Sequence, residues 1–282
     1  MECNEKNDRE VKNWDDLHSV LYSIRKTSYG RYRSDFVYRG TGDKCWSLDT
    51  SLQRLGSHYP KVEGPLLRAF ERYARPGEIA SDALLFKLAV AQHYGLPTRV
   101  LDWTTSPRVA LHFATFEEQH FDKDAAIWCV NVDKVRGVLP KALKGKIRDA
   151  YVFSVEMLAQ YKTLPEFDKL DKGSPFPIFF EPPSLDARII NQGAILSIMP
   201  GAGMDLRDFL RKHDDLFWRI IIPKCLKWEI RDKLDQDNVT ERMLFPGMAG
   251  TSTWLKRYYG PGGRGQAAAS KASKPQDILT KE

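Results

Sequence analysis

Apolar residues first recur at helical spacing at Trp14, Leu17, Val20, Leu21 and Ile24, which predicts a helix over residues 14–26. Residues 1–13 have no such period and read as a frayed lead-in. Residues 35–38 read as a short strand ended by Arg39-Gly40, and residues 45–54 as a loop anchored by Trp46 and Leu52. Helical pattern covers 65–74, breaks at Pro76-Gly77 and resumes over 81–94. Ser81 or Asp82 suits the cap of that second stretch, and Gly95 with Pro97 ends it. A further helix starts at Pro107 behind Ser106 as N-cap, with Val109, Ala110, Phe113 and Ala114 as its apolar stripe. Strands are predicted over 125–132 (AAIWCVNV), over 194–199 after a Gly193 turn, and over 216–222 (LFWRIII). Between them, 141–149 reads as a basic surface, 154–161 as helical, 175–180 as extended and 185–191 as a short helix. Helices over about 224–235 and 252–259 complete the pattern. Residues 260–282 are rich in Gly, Ala, Ser and Lys without hydrophobic period and read as a disordered basic tail.

Composition narrows this picture only slightly. Of the 282 residues, 42% are apolar and 28% charged, ordinary for a soluble globular chain with one large core. The charged opening MECNEKNDRE does not resemble a secretory signal, and no apolar run reaches membrane length, so a cytoplasmic location and no membrane partner are expected. The net charge of +6 permits an anionic partner without demanding one, and +2 of it sits in the tail. Cys3, Cys45, Cys129 and Cys225 are widely spaced and read as reduced cytosolic thiols. Neither they nor the six His show metal-ligand spacing, so no metal is expected.

Three segments carry more chemistry than their local structure needs. Residues 91–114 (AQHYGLPTRVLDWTTSPRVALHFA) crowd His, Tyr, Arg, Asp, Trp, Thr and Ser into the join between two apolar helices. Hydroxyls and free N–H groups at a helix start suit an anionic or ribosyl group. The structural alternative is that Asp102 pairs with Arg99, Ser106 only caps and Trp103 is core. Arg39 at a strand end, before Gly40, can present a guanidinium fork to phosphate or carboxylate, though a structural ion pair fits as well. Asn191 and Gln192 before Gly193 can read hydroxyls or merely hold the turn.

Together these segments resemble the FRG domain, named for an aromatic-Arg-Gly motif, here Tyr38-Arg39-Gly40. The resemblance continues through Trp46-Ser47-Leu48, Ser51-Leu52-Gln53-Arg54, the ungapped block 93–104 (HYGLPTRVLDWT), then Arg188, Gln192-Gly193 and Leu244-Phe245-Pro246. Thr41 departs from it, since Gln often follows the Arg-Gly. The motif order is more remotely similar to ADP-ribosyltransferases of the Arg-Ser-Glu type, with Arg39, Thr104-Thr105-Ser106 and Gln192 in corresponding order.

That resemblance implies an α+β domain with a split, twisted β-core, flanking helices and NAD held in the cleft. The implied division is an N-terminal helical segment (1–35), the FRG domain (36–259) and the tail (260–282). It implies a transferase that cleaves NAD and passes ADP-ribose to a nucleic acid or protein, or an NAD glycohydrolase. Arg39, His93, Asp102, Gln192 and Glu181 form the candidate catalytic set. Arg39, Gly40, Tyr94, Arg99, Trp103, Thr104, Thr105 and Ser106 form the candidate NAD-binding set. Where the related enzymes have a catalytic Glu, this chain has neutral Gln192; Glu181 is a second candidate for that carboxylate. A toxin or phage-defence effector with RNA or DNA as acceptor and an antitoxin-like protein partner is the implied context. The alternative is a non-catalytic module that binds a nucleotide or nucleic acid.

Overall fold

The structure, a computed structural model, describes residues 3–23, 30–147 and 150–260. The elements begin with β1 (Asp8–Glu10), α1 (Trp14–Leu21), β2 (Phe36–Thr41), α2 (Tyr59–Tyr73), α3 (Leu84–His93), β3 (Leu101–Thr104) and α4 (Pro107–Ala114). They continue with β4 (Ala125–Asn131), α5 (Val132–Val138), α6 (Lys141–Lys144), α7 (Leu164–Asp168), β5 (Ile178–Phe180), α8 (Ala187–Asn191) and β6 (Ala194–Ile198). The last are α9 (Leu206–Lys212), β7 (Phe217–Ile222), α10 (Lys227–Gln236), α11 (Glu241–Leu244) and α12 (Met248–Tyr258).

The strands form one seven-stranded sheet in the order β1-β7-β4-β2-β3-β6-β5. Only β1 and β7 run parallel; the other neighbours are antiparallel. Side-chain alternation sorts the sheet into two faces. Val37, Trp103, Trp128, Val130, Ile195 and Phe217 enter a cluster closed by Leu206, Phe209 and Leu210 of α9. On the other face, Tyr38, Ile127, Cys129, Ile220 and Ile222 pack against α1, α4 and α10. Beside that pack, Leu196, Ile198, Ile178 and Phe180 meet α2, α3 and α7. Two helical packs therefore sit side by side on one face, with α4 in one and α3 in the other.

The sheet is mixed α/β and continuous, but it has a weak seam. β2 makes six register pairs with β4, and only Tyr38↔Thr104 with β3. The seam lies beneath the junction of the two helical packs.

Several elements differ from expectation. The polar stretch Asp8–Glu10 is an edge strand rather than a frayed lead-in. α2 begins at Tyr59, so Pro65 sits inside the helix rather than opening it. Ala83, not Ser81 or Asp82, holds the N-cap position of α3, and no side chain caps that end. The join between α3 and α4 contains a strand, β3. Cys3 and Cys45 form a disulfide, contrary to the expectation of reduced thiols, while Cys129 is free and buried and Cys225 free and exposed. The predicted end of the first helix and residues 261–282 of the expected tail lie outside the described residues. Among the described residues no helix is long and apolar enough to cross a membrane.

Candidate functional site

Beyond the Tyr38↔Thr104 pair, β2 and β3 part, and a cavity of about 340 Å³ opens at the seam. That volume falls in the range of small-molecule sites, roughly 300–1,000 Å³. It is lined by β2 (Tyr38, Arg39, Gly40), β3 (Asp102, Trp103, Thr104) and the end of α3 (Gln92, His93). Arg188 and Gln192 of the α8 segment, Phe113, Phe116 and Glu117 at and beyond the end of α4, Trp46 and Phe245 also line it. Gly40 is required for this shape. A Cβ there would overlap the Ala110 carbonyl and lie 2.6 Å from the Ala114 nitrogen, so only glycine lets α4 rest on β2.

Arg39 is the first residue past the last β2–β3 pair. Its Nη1 donates to the Asp102 main-chain carbonyl at 2.6 Å, so a side chain takes the place of a ladder bond. Its Nε is buried without a partner, and no carboxylate among the described residues forms an ion pair with it. Burial lowers its pKa, opposed by the charge of Asp102. Arginines that are more deeply buried are handled differently. Arg99 is held by Glu63 and Asp168, Arg219 by Asp8, and Arg231 and Arg257 by Glu241.

Two carboxylates line the cavity. Asp102 Oδ2 accepts from Gln92 Nε2 at 2.7 Å, and Gln92 Oε1 accepts from Thr98 at 2.6 Å, which fixes the carboxylate from behind. Glu117 Oε2 lies 3.0 Å from His120 Nε2. His93 Nε2 meets Asp186 Oδ2 at 3.0 Å. Asp186 also caps α8, so this contact fastens α8 to α3 across the cavity rim. Gln192 Nε2 donates to the Leu244 carbonyl at 2.9 Å. Its amide orientation is thereby set, and Oε1 remains as the acceptor.

Of the sequence candidates, Arg39, Gly40, His93, Asp102, Trp103, Thr104 and Gln192 converge on this cavity. The others do not. Arg99 is buried between Glu63 and Asp168, so its donors are already occupied. Thr104 Oγ1 donates to the Gln192 carbonyl at 2.6 Å and accepts from the Ser106 nitrogen, and Thr105 N donates to the Gly193 carbonyl. Ser106 caps α4 through Val109. These hydroxyls weld the β3–α4 corner to the α8–β6 turn instead of facing a ligand. Trp103 is core, its Nε1 donating to Ser197 and its ring edge-on to Phe179. Tyr94 is 65% exposed beyond the lining, and Glu181 is exposed outside it.

Sequence reasoning missed the aromatic wall. Phe245 stands 6.2 Å from Phe113 and 5.9 Å from Phe116, and Trp46 packs edge-on to His120. Their spacing in the chain resembles ordinary core positions, and only the close approach of α4 to β2 places them here. Glu117 and Arg188 were missed as lining residues for the same reason. Among the described residues no group of three or more His, Cys, Asp or Glu gathers to hold a metal ion.

Residues 34–123 match the family model of the FRG domain. That segment contains β2, β3 and α4, the elements on both sides of the seam, while Arg188, Gln192 and Phe245 lie beyond it. No curated protein and no solved structure matches the chain significantly.

Proposed function

Taking as premise a chain that carries an FRG domain at residues 34–123, we propose that the seam cavity binds NAD and cleaves it, transferring ADP-ribose to a macromolecular acceptor. The observation that carries this reading is Arg39, a half-buried guanidinium at a strand break whose Nε is buried without a partner and which has no carboxylate against it. A half-buried guanidinium with an unpaired donor favours an anionic ligand, and the nearby Asp102 charge offsets its desolvation only in part. The surroundings fit a dinucleotide in other respects. Trp46, Phe113, Phe116 and Phe245 offer aromatic faces to a base. Gln192 Oε1 can accept a ribose hydroxyl as a carboxylate would.

In this reading the bond between ribose C1′ and the nicotinamide nitrogen breaks, and its electron pair leaves with nicotinamide. Positive charge develops on the ribose, and the Asp102 carboxylate stabilises it where Gln192 cannot. The acceptor nucleophile adds at C1′ and loses its proton to Asp102 or Glu117. The strands form one sheet rather than the expected split core, so the fold supports the reading only through the single β2–β3 register pair at the site.

The test uses NAD labelled on nicotinamide or on adenine, incubated with the protein and cell lysate. We expect nicotinamide release and adenine label on macromolecules, with Arg39→Gln and Asp102→Asn each at least about 100-fold slower. Nuclease and protease digestion then separate a nucleic-acid from a protein acceptor. Absence of nicotinamide release overturns the enzyme reading. The second reading, a non-catalytic nucleotide-binding module, is favoured by one observation: Gln192 holds the position expected of the catalytic carboxylate and is tied to Leu244. NAD binding without release selects it.

A further inference from the structure

Arg39 is not the only guanidinium at the cavity with donors to spare. Arg188, on the short helix α8, also lines it. Its Nε is buried without a partner, and no described carboxylate pairs with it. Its guanidinium carbon lies 5.4 Å from the centre of the Phe245 ring, a contact that orients the group without using its N–H donors. α8 itself is held firmly. Asp186 at its start pairs with His93, and Asn191 and Gln192 at its end donate to the carbonyls of Met243 and Leu244. Arg188 is thus presented from a fixed backbone.

In the same molecule, five other arginines that are nearly or fully buried each rest on a carboxylate: Arg99, Arg207, Arg219, Arg231 and Arg257. Arg39 and Arg188 are half-buried rather than buried, yet each has a buried Nε without a partner and no carboxylate against it, and both line one cavity. Of the two cavity carboxylates, Asp102 supports the Arg39 charge from a distance but bonds to Gln92, and Glu117 bonds to His120, so neither takes up the free guanidinium donors. We propose that Arg39 and Arg188 form a two-pronged grip for a diphosphate group. Each planar fork matches phosphate oxygens, and forks from two separate elements suit two linked anionic groups better than one. The inference deepens the NAD reading and rests on it for the identity of the occupant. Its new content is Arg188 as a binding residue and the diphosphate as the group gripped.

The test is a calorimetric titration of the full chain with inorganic pyrophosphate and with orthophosphate. The wild type is compared with Arg39→Gln, Arg188→Gln and Arg188→Lys, and nicotinamide release from NAD is measured in parallel. Pyrophosphate is expected to bind at least about tenfold more tightly than orthophosphate, and each Gln variant to lose about 10- to 100-fold in pyrophosphate affinity. Arg188→Lys, which keeps the charge and loses the fork, is expected between wild type and Gln, and it serves alone if Arg188→Gln does not fold. Wild type that fails to bind pyrophosphate, or an Arg188 variant that binds it like wild type, overturns the inference. Pyrophosphate binding that needs both arginines, without nicotinamide release, leaves the grip standing and removes the enzyme reading. Nicotinamide release unaffected by Arg188→Gln does the reverse.

Discussion

Arg39 and Gly40 are adjacent in sequence and have opposite energetic characters. In Arg39 the buried Nε without a partner opposes the Nη1 bond to the Asp102 carbonyl, so the net contribution to the free protein is small. Arg39→Gln is therefore expected to leave the unfolding free energy within about 0.5 kcal/mol of wild type in denaturant titrations, while NAD affinity falls about 10- to 100-fold. Gly40 is the reverse. Gly40→Ala places a methyl group against the Ala110 carbonyl and the Ala114 nitrogen, both main-chain atoms that cannot rotate away. The expected cost is about 1–3 kcal/mol or more, seen as a lower denaturation midpoint, because α4 must lift from β2. These two residues were legible in the sequence as an Arg-Gly at a strand end. Arg188 was legible only as part of a pattern, since nothing local shows that Phe245, distant in the chain, sits beneath it.

Among the elements, β3 explains both what the sequence shows and what it hides. The block 93–104 is rich in functional groups, yet its four-residue strand is too short to display alternation against flanking helices. Its last residue, Thr104, and the two hydroxyl residues after it turn out to hold the corner together. Thr104, Thr105 and Ser106 bond to the α8–β6 turn or to α4. β1 was hidden for a similar reason, being three polar residues that pair only with β7.

The packing of α4, α10, α11 and α12 gives the protein a defined acid sensitivity. Burial, and next the charge of Arg231, push His112 down to about 3, so it is neutral in the fold. Burial alone would raise Glu241, but the Arg257 hydrogen bond and the Arg231 charge outweigh it and hold the carboxyl at about 2. Unfolded, these groups return to ordinary values near 6.5 and 4.5. The unfolded chain therefore binds protons that the fold refuses, and stability falls as pH drops from 6.5 toward 3, with Glu241 adding to the loss between 4.5 and 2. Denaturant titrations at pH 7.5, 5.5 and 4 (assay values chosen as roughly spanning that window) should show progressively lower midpoints. A flat profile contradicts the buried neutral state of His112.

For the whole molecule, the disulfide is the largest departure from expectation. Cys3–Cys45 closes a span of 42 residues and ties the N-terminal segment to the loop that carries Gly42 and Trp46 into the cavity wall. Cysteines so far apart in sequence give no spacing signal, and composition cannot pair them. Cys3→Ser, or reduction of the wild type, is expected to lower stability by about 2–4 kcal/mol, read as a lower Tm without reductant-dependent change in the variant. The net charge of +6 was no guide to the site, where Arg39 and Arg188 stand beside Asp102 and Glu117 and each keeps a buried Nε without a partner.

The central claim is that the seam in the sheet is an NAD-cleaving site built on Arg39. Its most direct test is single-turnover release of nicotinamide from labelled NAD by excess purified protein. We predict release by the wild type and a loss of at least about 100-fold in Arg39→Gln of unchanged stability. No release by the folded wild type, or equal release by Arg39→Gln, contradicts it.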